Sequence, residues 1–520
     1  MQLGASGRRW AVATPHATAS DAAADAFERG GNAVDAALAA ATTLAVVYPQ
    51  MCGVGGDLFA LVQHPDGDVV AVSSAGASPA GIDPAAVRAA HDEMPGRGPL
   101  AIVVPGAPAG WEALHRHGGE LAWHELFDVA IRSAADGAPV VRGLAEALVD
   151  NDELLAADPG AVSVFLPRGT SLAEGDLLVQ PALARTLEAI ASGGADALYR
   201  GAIAEAYAAG LRAAGSPIDV GDLAAHTAKL WPPLIARYRD LDVRTSPPTS
   251  QGFVLLEALR AIERLQLDPD PFGPDAGTIA LVFAAAARDR ERHLADPRHM
   301  RVHPTTLLDD GHIAAVCEEV REGSTAAPHP AGGDTVGLVT ADARGSAVSL
   351  IQSLSWGFGS GILEPATGIL AQNRGSGFVL DPEHPNALAP GKQPAHTLMP
   401  VTVHRDGRLA AVSGTMGGPA HPQINGASLV RAFDLGMTPQ EAVAAPRWVV
   451  GGMDAVVGLA EAEADVPDAT VELLELASFR VTRLRAEDSS VGHAHLIRLN
   501  PDGSLEAGTD PRADGAALAG

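Results

Sequence analysis

Cysteine is nearly missing from this 520-residue chain, which has only Cys52 and Cys317. Two cysteines cannot build a secreted disulfide framework, so both are expected to act as small buried hydrophobes. Aromatic residues make up 4% of the chain and lysines are few. No apolar run reaches the length of a membrane span. The segment from Met1 to Trp10 lacks the apolar stretch of a signal peptide, from which a cytoplasmic location is expected. Positive charge is short as well: 36 Lys and Arg face 63 Asp and Glu, a net charge of −27. That balance argues against nucleic acid or an anionic membrane as partner and reads as a solvated acidic surface. There is no P-loop, serine elbow, internal repeat or linker between independent halves. Gly53-Val-Gly55-Gly56 precedes a strand-like run instead of opening a helix, so it is no dinucleotide fingerprint. Neither cofactor nor metal is expected, because His493 and His495, which share a strand face, lack a third ligand nearby.

What is present is periodic. Ala182–Ala191 and Ile279–Arg288 read as helices, and the alternating runs Val336–Leu350 and Leu398–Val403 as strands. Arg288-Asp-Arg-Glu-Arg-His293 reads as a solvated helix face with some potential for contacts between subunits. Ser20 and Asp21 are candidate caps of an early helix that Gly30-Gly31 ends, and Asn32 caps the next. The one candidate break is the Pro- and Gly-rich stretch from Ala326 to Asp334. Thr335 follows it and opens a strand.

The run Gly332-Gly333-Asp334-Thr335-Val336-Gly337, with Asp342 to Gly361 behind it, resembles the start of the small subunit of γ-glutamyltranspeptidases. Gly30-Gly31-Asn32-Ala33-Val34-Asp35-Ala36, Pro49 to Phe59, Val104 to Trp111 and Pro247 to Gly252 resemble family runs in the same order. So do Arg288-Asp289 with Asp296-Pro297, Asn373-Arg374-Gly375, Pro394 to Pro400, Gly414 to Gly418, Ala445 to Trp448, and Gly492 to Arg512. The resemblance spans nearly the whole chain. It implies a mixed α/β (α+β) fold, a four-layer αββα sandwich of the N-terminal nucleophile hydrolases with two antiparallel sheets between helical layers. It also implies self-cleavage at Asp334-Thr335 into a large subunit, 1–334, and a small subunit, 335–520, that remain one body. A homodimer of such heterodimers is left open.

The family pattern makes Thr335 the nucleophile. A threonine hydroxyl needs a base, and the α-amine freed by cleavage, with a pKa of about 8, supplies one. Before cleavage the same hydroxyl would attack the preceding carbonyl, with strain in Gly332-Gly333-Asp334 as a contributing factor. Ser353 stands at a family threonine that hydrogen-bonds the nucleophile. Gly417-Gly418 stands at the oxyanion position, where the lack of Cβ atoms lets successive N–H groups converge. Ser355 stands at a family asparagine that contacts substrate.

The departures fall on substrate recognition. The arginine that clamps the glutamyl carboxylate is absent, since that run reads Ser73-Ser-Ala75-Gly-Ala77. The residues that hold the α-ammonium are replaced by Asn373-Arg374-Gly375, and a pair of serines by His396-Thr397. Arg374 in place of an acceptor reverses the sign of the site, favouring a carboxylate over an ammonium. The pattern resembles a divergent branch that includes oxamate amidohydrolases. The resulting expectation is a hydrolase or acyltransferase acting through an acyl-enzyme on a small carboxylate-bearing amide, oxamate-like or glutaryl-like. Open alternatives are a γ-glutamyl or glutathione hydrolase with relocated recognition residues, a member cleaving a C–C bond in biosynthesis, and a non-catalytic scaffold.

Overall fold

A computed structural model describes residues 2–323, 334–451 and 456–520. Strands β1 (Gly4–Gly7) and β2 (Trp10–Thr14) lead into helices α1 (Ala17–Glu28) and α2 (Ala33–Val47). Asn32 caps α2 as expected: its side-chain oxygen accepts from the N–H groups of Val34 and Asp35, and Asp35 accepts from the Asn32 N–H. The cap of α1 is different from the one expected. His16 fills that role, its Nδ1 accepting from Thr18 N–H at 3.2 Å. Ser20 lies a turn inside the helix, bonded to Thr14 and the Ala516 carbonyl. The preceding strand ends at Thr14, so the helix starts earlier than its polar residues indicate.

The rest of the framework follows in order. Strands β3 (Asp57–Gln63), β4 (Val69–Ser74), β5 (Lys229–Trp231), β6 (Leu234–Tyr238) and β7 (Leu241–Thr245) precede helices α3 (Gly252–Leu265), α4 (Ala276–His293) and α5 (Asp310–Arg321). After these come β8 (Asp334–Asp342), β9 (Ala347–Ser355), β10 (Val401–Arg405), β11 (Arg408–Met416) and helix α6 (His421–Phe433). Strands β12 (His493–Leu499), β13 (Leu505–Thr509) and β14 (Ala516–Ala519) close the chain. One seven-stranded sheet runs β1-β13-β12-β11-β10-β7-β6 and the other β14-β2-β8-β9-β3-β4-β5. Every pairing within both is antiparallel.

Period-two alternation sorts side chains into layers. On β8 and β9, Val336, Leu338, Val348 and Leu350 pack with α1 and α2. The intervening Val339, Ala341 and Ala347 meet Val412, Ile497 and Leu505 of the other sheet. The outer face of that sheet, through Val401, Val403 and Leu496, packs on α3, α4 and α6. The result is the expected αββα sandwich. Full burial of each such Val or Leu contributes about 1.5–3 kcal/mol.

The two sheets approach closely at one point. A Cβ on Gly337 would lie 2.6 Å from both the Gly414 carbonyl carbon and the Thr415 nitrogen. Only a hydrogen fits there, two residues from Thr335.

Cys52 and Cys317 are free and buried, as anticipated. The Arg288–His293 run is not a solvated face, for Arg288, Asp289 and Arg290 are each less than 8% exposed. Ion pairing with Glu319 and Glu291 makes their burial tolerable. Among the described residues, no helix is long and apolar enough to cross a membrane. The Gly332-Gly333 turn of the expected cleavage loop lies outside the described residues.

Candidate active site

Thr335 sits where β8 and β9 lose register. Asp334 pairs with Ser355 and Val336 with Gln352, so Ser353 and Leu354 together oppose the single residue Thr335. A bulge of this kind re-aims side chains. Here it brings the Thr335 hydroxyl to 3.1 Å from the Ser353 hydroxyl, to which it donates. The Ser355 N–H donates to the same Ser353 oxygen at 2.8 Å. Ser355 itself is held at φ 86°, a left-handed conformation that non-glycine residues rarely adopt. Both Thr335 and Ser353 have the parity of Gly337 and Ile351, so they face the space between the sheets.

From Ser355 a chain of contacts leads to the recognition residues. The next N–H, of Trp356, donates to the Asn373 side chain at 3.0 Å, and Asn373 N–H donates to the Leu354 carbonyl at 3.1 Å. This places Arg374 beside the strand end. Its Nη1 donates to Thr397 Oγ1 at 3.3 Å. Arg374 is 3% exposed, and among the described residues neither its Nε nor its Nη2 has a hydrogen-bond partner. Burial lowers its pKa to about 10, opposed by the negative charge of Asp57. The guanidinium is therefore charged at neutral pH and has two adjacent donors to spare.

His396 is differently committed. Its Nδ1 accepts from Leu398 N–H at 3.4 Å, which leaves Nε2 to donate to Asp57 Oδ2 at 3.0 Å. Burial first, then the charge of Arg374, lower its pKa to about 4 despite Asp57. A neutral imidazole with both nitrogens engaged offers a ligand its ring and no hydrogen bond. Ser355, Trp356, Arg374, His396 and Thr397 together line a cavity of about 480 Å³. Thr335, Ser353, Gly417 and Gly418 are not among its lining residues, and Thr335 is 1% exposed.

Gly417 and Gly418 form the turn between β11 and α6, at φ 150° and 52°. Gln251 holds that turn: its Nε2 donates to the Gly418 carbonyl at 2.9 Å and to the Thr397 carbonyl at 2.8 Å. Arg290 Nη1 in turn donates to Gln251 Oε1 at 3.0 Å. The amide thus ties the oxyanion candidate to the recognition loop. Asp57, Gln251, Arg290 and Asn373 are parts that reading the sequence left unassigned. A signal existed for Arg290, since the apolar spacing of α4 continues into the charged run. The others sit in motifs whose glycines drew the attention.

His493 and His495 are both buried on β12. The first bonds Ser489 at 3.0 Å and the second Thr509 at 2.8 Å, next to a buried cluster of Arg447, Asp510, Arg512 and Glu463. This cluster accounts for the Ala445–Trp448 and Thr509–Arg512 runs as fold-holding motifs.

The chain and its fold are similar to those of known proteins. The family model described as gamma-glutamyltranspeptidase matches residues 19–520. The chain is 38% identical, over 97% of both lengths, to the oxamate amidohydrolase proenzyme of Klebsiella pneumoniae subsp. pneumoniae. It is 36% identical, over 98% of both, to the glutathione hydrolase-like YwrD proenzyme of Bacillus subtilis. The crystal structure of a cephalosporin acylase from Bacillus halodurans superposes with a TM-score of 0.93 at 32% identity, covering 100% of this chain and 97% of that one.

Proposed function

Because this chain belongs to the γ-glutamyltranspeptidase family, we propose that it is an amidohydrolase whose nucleophile, Thr335, is released by cleavage of Asp334-Thr335. Its substrate is a small amide whose acyl part carries a carboxylate held by Arg374. The observation that carries this reading is a buried, charged guanidinium among the residues that line a cavity, whose Nε and Nη2 have no hydrogen-bond partner among the described residues. That pair of donors matches a carboxylate in a two-point fork. The Klebsiella relative is an oxamate amidohydrolase proenzyme, and oxamate, a carboxylate joined to an amide, points the same way.

The mechanism follows from the parts. In the intact chain the Thr335 hydroxyl attacks the Asp334 carbonyl and the peptide C–N bond breaks, which frees the α-amine and leaves an ester; water then hydrolyses the ester, releasing the Thr335 hydroxyl and the Asp334 carboxylate. That amine then takes the hydroxyl proton as Oγ1 attacks the substrate amide. N–H groups of Gly417-Gly418 receive the oxyanion, each donor being worth about 3–4 kcal/mol. Nitrogen leaves with the proton, and water hydrolyses the resulting acyl-threonine ester. Ser353 fixes the direction of Oγ1 throughout. Water or an amine could serve as acceptor in the last step, and the cavity's size favours neither.

A second reading keeps an α-ammonium in the substrate. Asp92, Glu93 and Asp381 also line the cavity and could bind it, as a γ-glutamyl donor requires. Steady-state kinetics with oxamate, a glutaryl amide and γ-glutamyl-p-nitroanilide separate the two. Turnover of the first or second, at least a hundredfold above the third in kcat/KM, is the expected result. The reverse ranking would overturn the carboxylate assignment.

A further inference from the structure

Away from this cavity, three helices of the outer layer bring together a set of side chains that the reaction does not use. Glu257 projects from α3, Asp289 from α4 and His312 from α5. One ligand atom from each lies within 4.8 Å of the others. His312 Nε2 is 2.8 Å from Asp289 Oδ2 and 3.7 Å from Glu257 Oε2. A second imidazole, His293 at the end of α4, has Nε2 3.8 Å from Asp289 Oδ1. Glu257 is fully buried among the apolar residues of α3 and α4, and among the described residues neither of its oxygens has a hydrogen-bond partner.

A buried carboxylate without a donor, beside a second carboxylate, is a costly arrangement for a helix interface. One imidazole cannot satisfy both, and its hydrogen bond already goes to Asp289. The neighbouring cation, Arg292, is 3.4 Å from Asp289 but more than half exposed, and it pairs on the outer side. A dication would neutralise both carboxylates and give Glu257 the partner it lacks. The spacing suits one: ligands about 2.0–2.2 Å from a common ion lie about 3–4 Å from one another. His312 and His293 are each partly exposed, which provides a route from solvent. Mixed imidazole and carboxylate donors without thiolate fit zinc, manganese or iron(II) better than calcium or magnesium.

We propose that Glu257, Asp289 and His312, with His293 or water completing the shell, form a divalent transition-metal site that clamps α3, α4 and α5 together. The clamp reaches the active site through short covalent links. Asp289 adjoins Arg290, and Gln251 is the residue before α3. Joining α3 to α4 therefore sets the Arg290–Gln251 contact that holds the Gly418 carbonyl. The site acts on position and touches neither substrate nor nucleophile.

The test uses the full chain, freed of metal with a chelator and titrated with Zn²⁺, Mn²⁺ and Co²⁺. One equivalent should bind, with Co²⁺ giving visible absorption bands typical of N/O ligation and Zn²⁺ or Mn²⁺ raising Tm by several degrees. Glu257→Gln, close in shape, and His312→Ala should each weaken binding at least tenfold and abolish the Tm increment. His303→Ala, an exposed histidine on another segment, should leave both unchanged. Absence of stoichiometric uptake by the folded wild-type chain would overturn the proposal, as would uptake that survives both ligand substitutions. The wild-type Co²⁺ spectrum decides the matter even if a variant fails to fold. None of these readouts depends on turnover, so they stand apart from the functional reading above.

Discussion

In the proposed reading Arg374 has two roles that oppose each other. Buried with two idle donors, it detracts from stability in the empty protein, and a ligand carboxylate would offset that cost when bound. Arg374→Gln is therefore expected to lower kcat/KM on the carboxylate-bearing amide by about 10²–10³-fold, as the loss of a charged hydrogen-bond pair does. Thermal stability should stay the same or rise, and parallel kinetics and melting curves check both. Arg374→Lys, which keeps the charge but not the fork, should recover only part of the activity. Ser353→Ala removes the oxygen that takes both the Thr335 hydroxyl and the Ser355 N–H. Intact-mass time courses should show slower appearance of the fragment beginning at Thr335, by about tenfold or more, while Ser353→Thr should process normally. Thr335, Ser353, Arg374 and Gly417-Gly418 could be chosen as candidates from the sequence because each stands in a local run of distinctive residues. Asp57 and Gln251 could not. Each acts through a partner more than a hundred positions away, His396 for one and Gly418 for the other, and no local pattern encodes such a pairing.

Strands and helices were read best where one face is apolar. β8 and β9 are buried on both faces, and their alternation sorts side chains between the helices on one side and a second sheet on the other. Helix α4 shows the converse. Its C-terminal charges look solvated in a one-dimensional reading, yet α5 folds over them and turns Arg288 through Arg290 inward. Where two sheets touch, the limit is steric. Gly337→Ala would press a methyl group against the backbone at Gly414 and Thr415. Overpacking of that kind costs about 1–3 kcal/mol. Denaturant unfolding should report such a loss, and processing should slow as well, since the wedge lies two residues from Thr335. An alanine at Gly407, an exposed turn with nothing within 4 Å, should lower stability only through its positive φ and leave processing intact.

The molecule as a whole carries an acid sensitivity in its imidazoles. His16, His396, His404, His421, His493 and His495 are all buried, and burial lowers their pKa values to about 3–4. An unfolded chain would bind protons on these groups at about 6.5, so between about pH 6.5 and 4 it takes up more protons than the native state. Their contribution to stability is then complete above that window and falls steadily as pH drops through it. Melting temperatures measured from pH 8 to 4.5 should decline most steeply below 6.5, and His404→Gln, remote from the cavity and close to the original shape, should flatten part of the slope. The sheet order carries a further implication. In one sheet β8 and β9 lie between β2 and β3, so residues from before and after Asp334-Thr335 alternate across the ladder. Residues 335–520 made alone would have to form that sheet with its flanking strands missing. The geometry that positions the Thr335 hydroxyl thus comes into being only after both stretches have assembled. In the proposed reading, scission would then be a permanent mark of a past event: the smaller band on a denaturing gel would count every chain that has once reached its native form, including those that have since lost it.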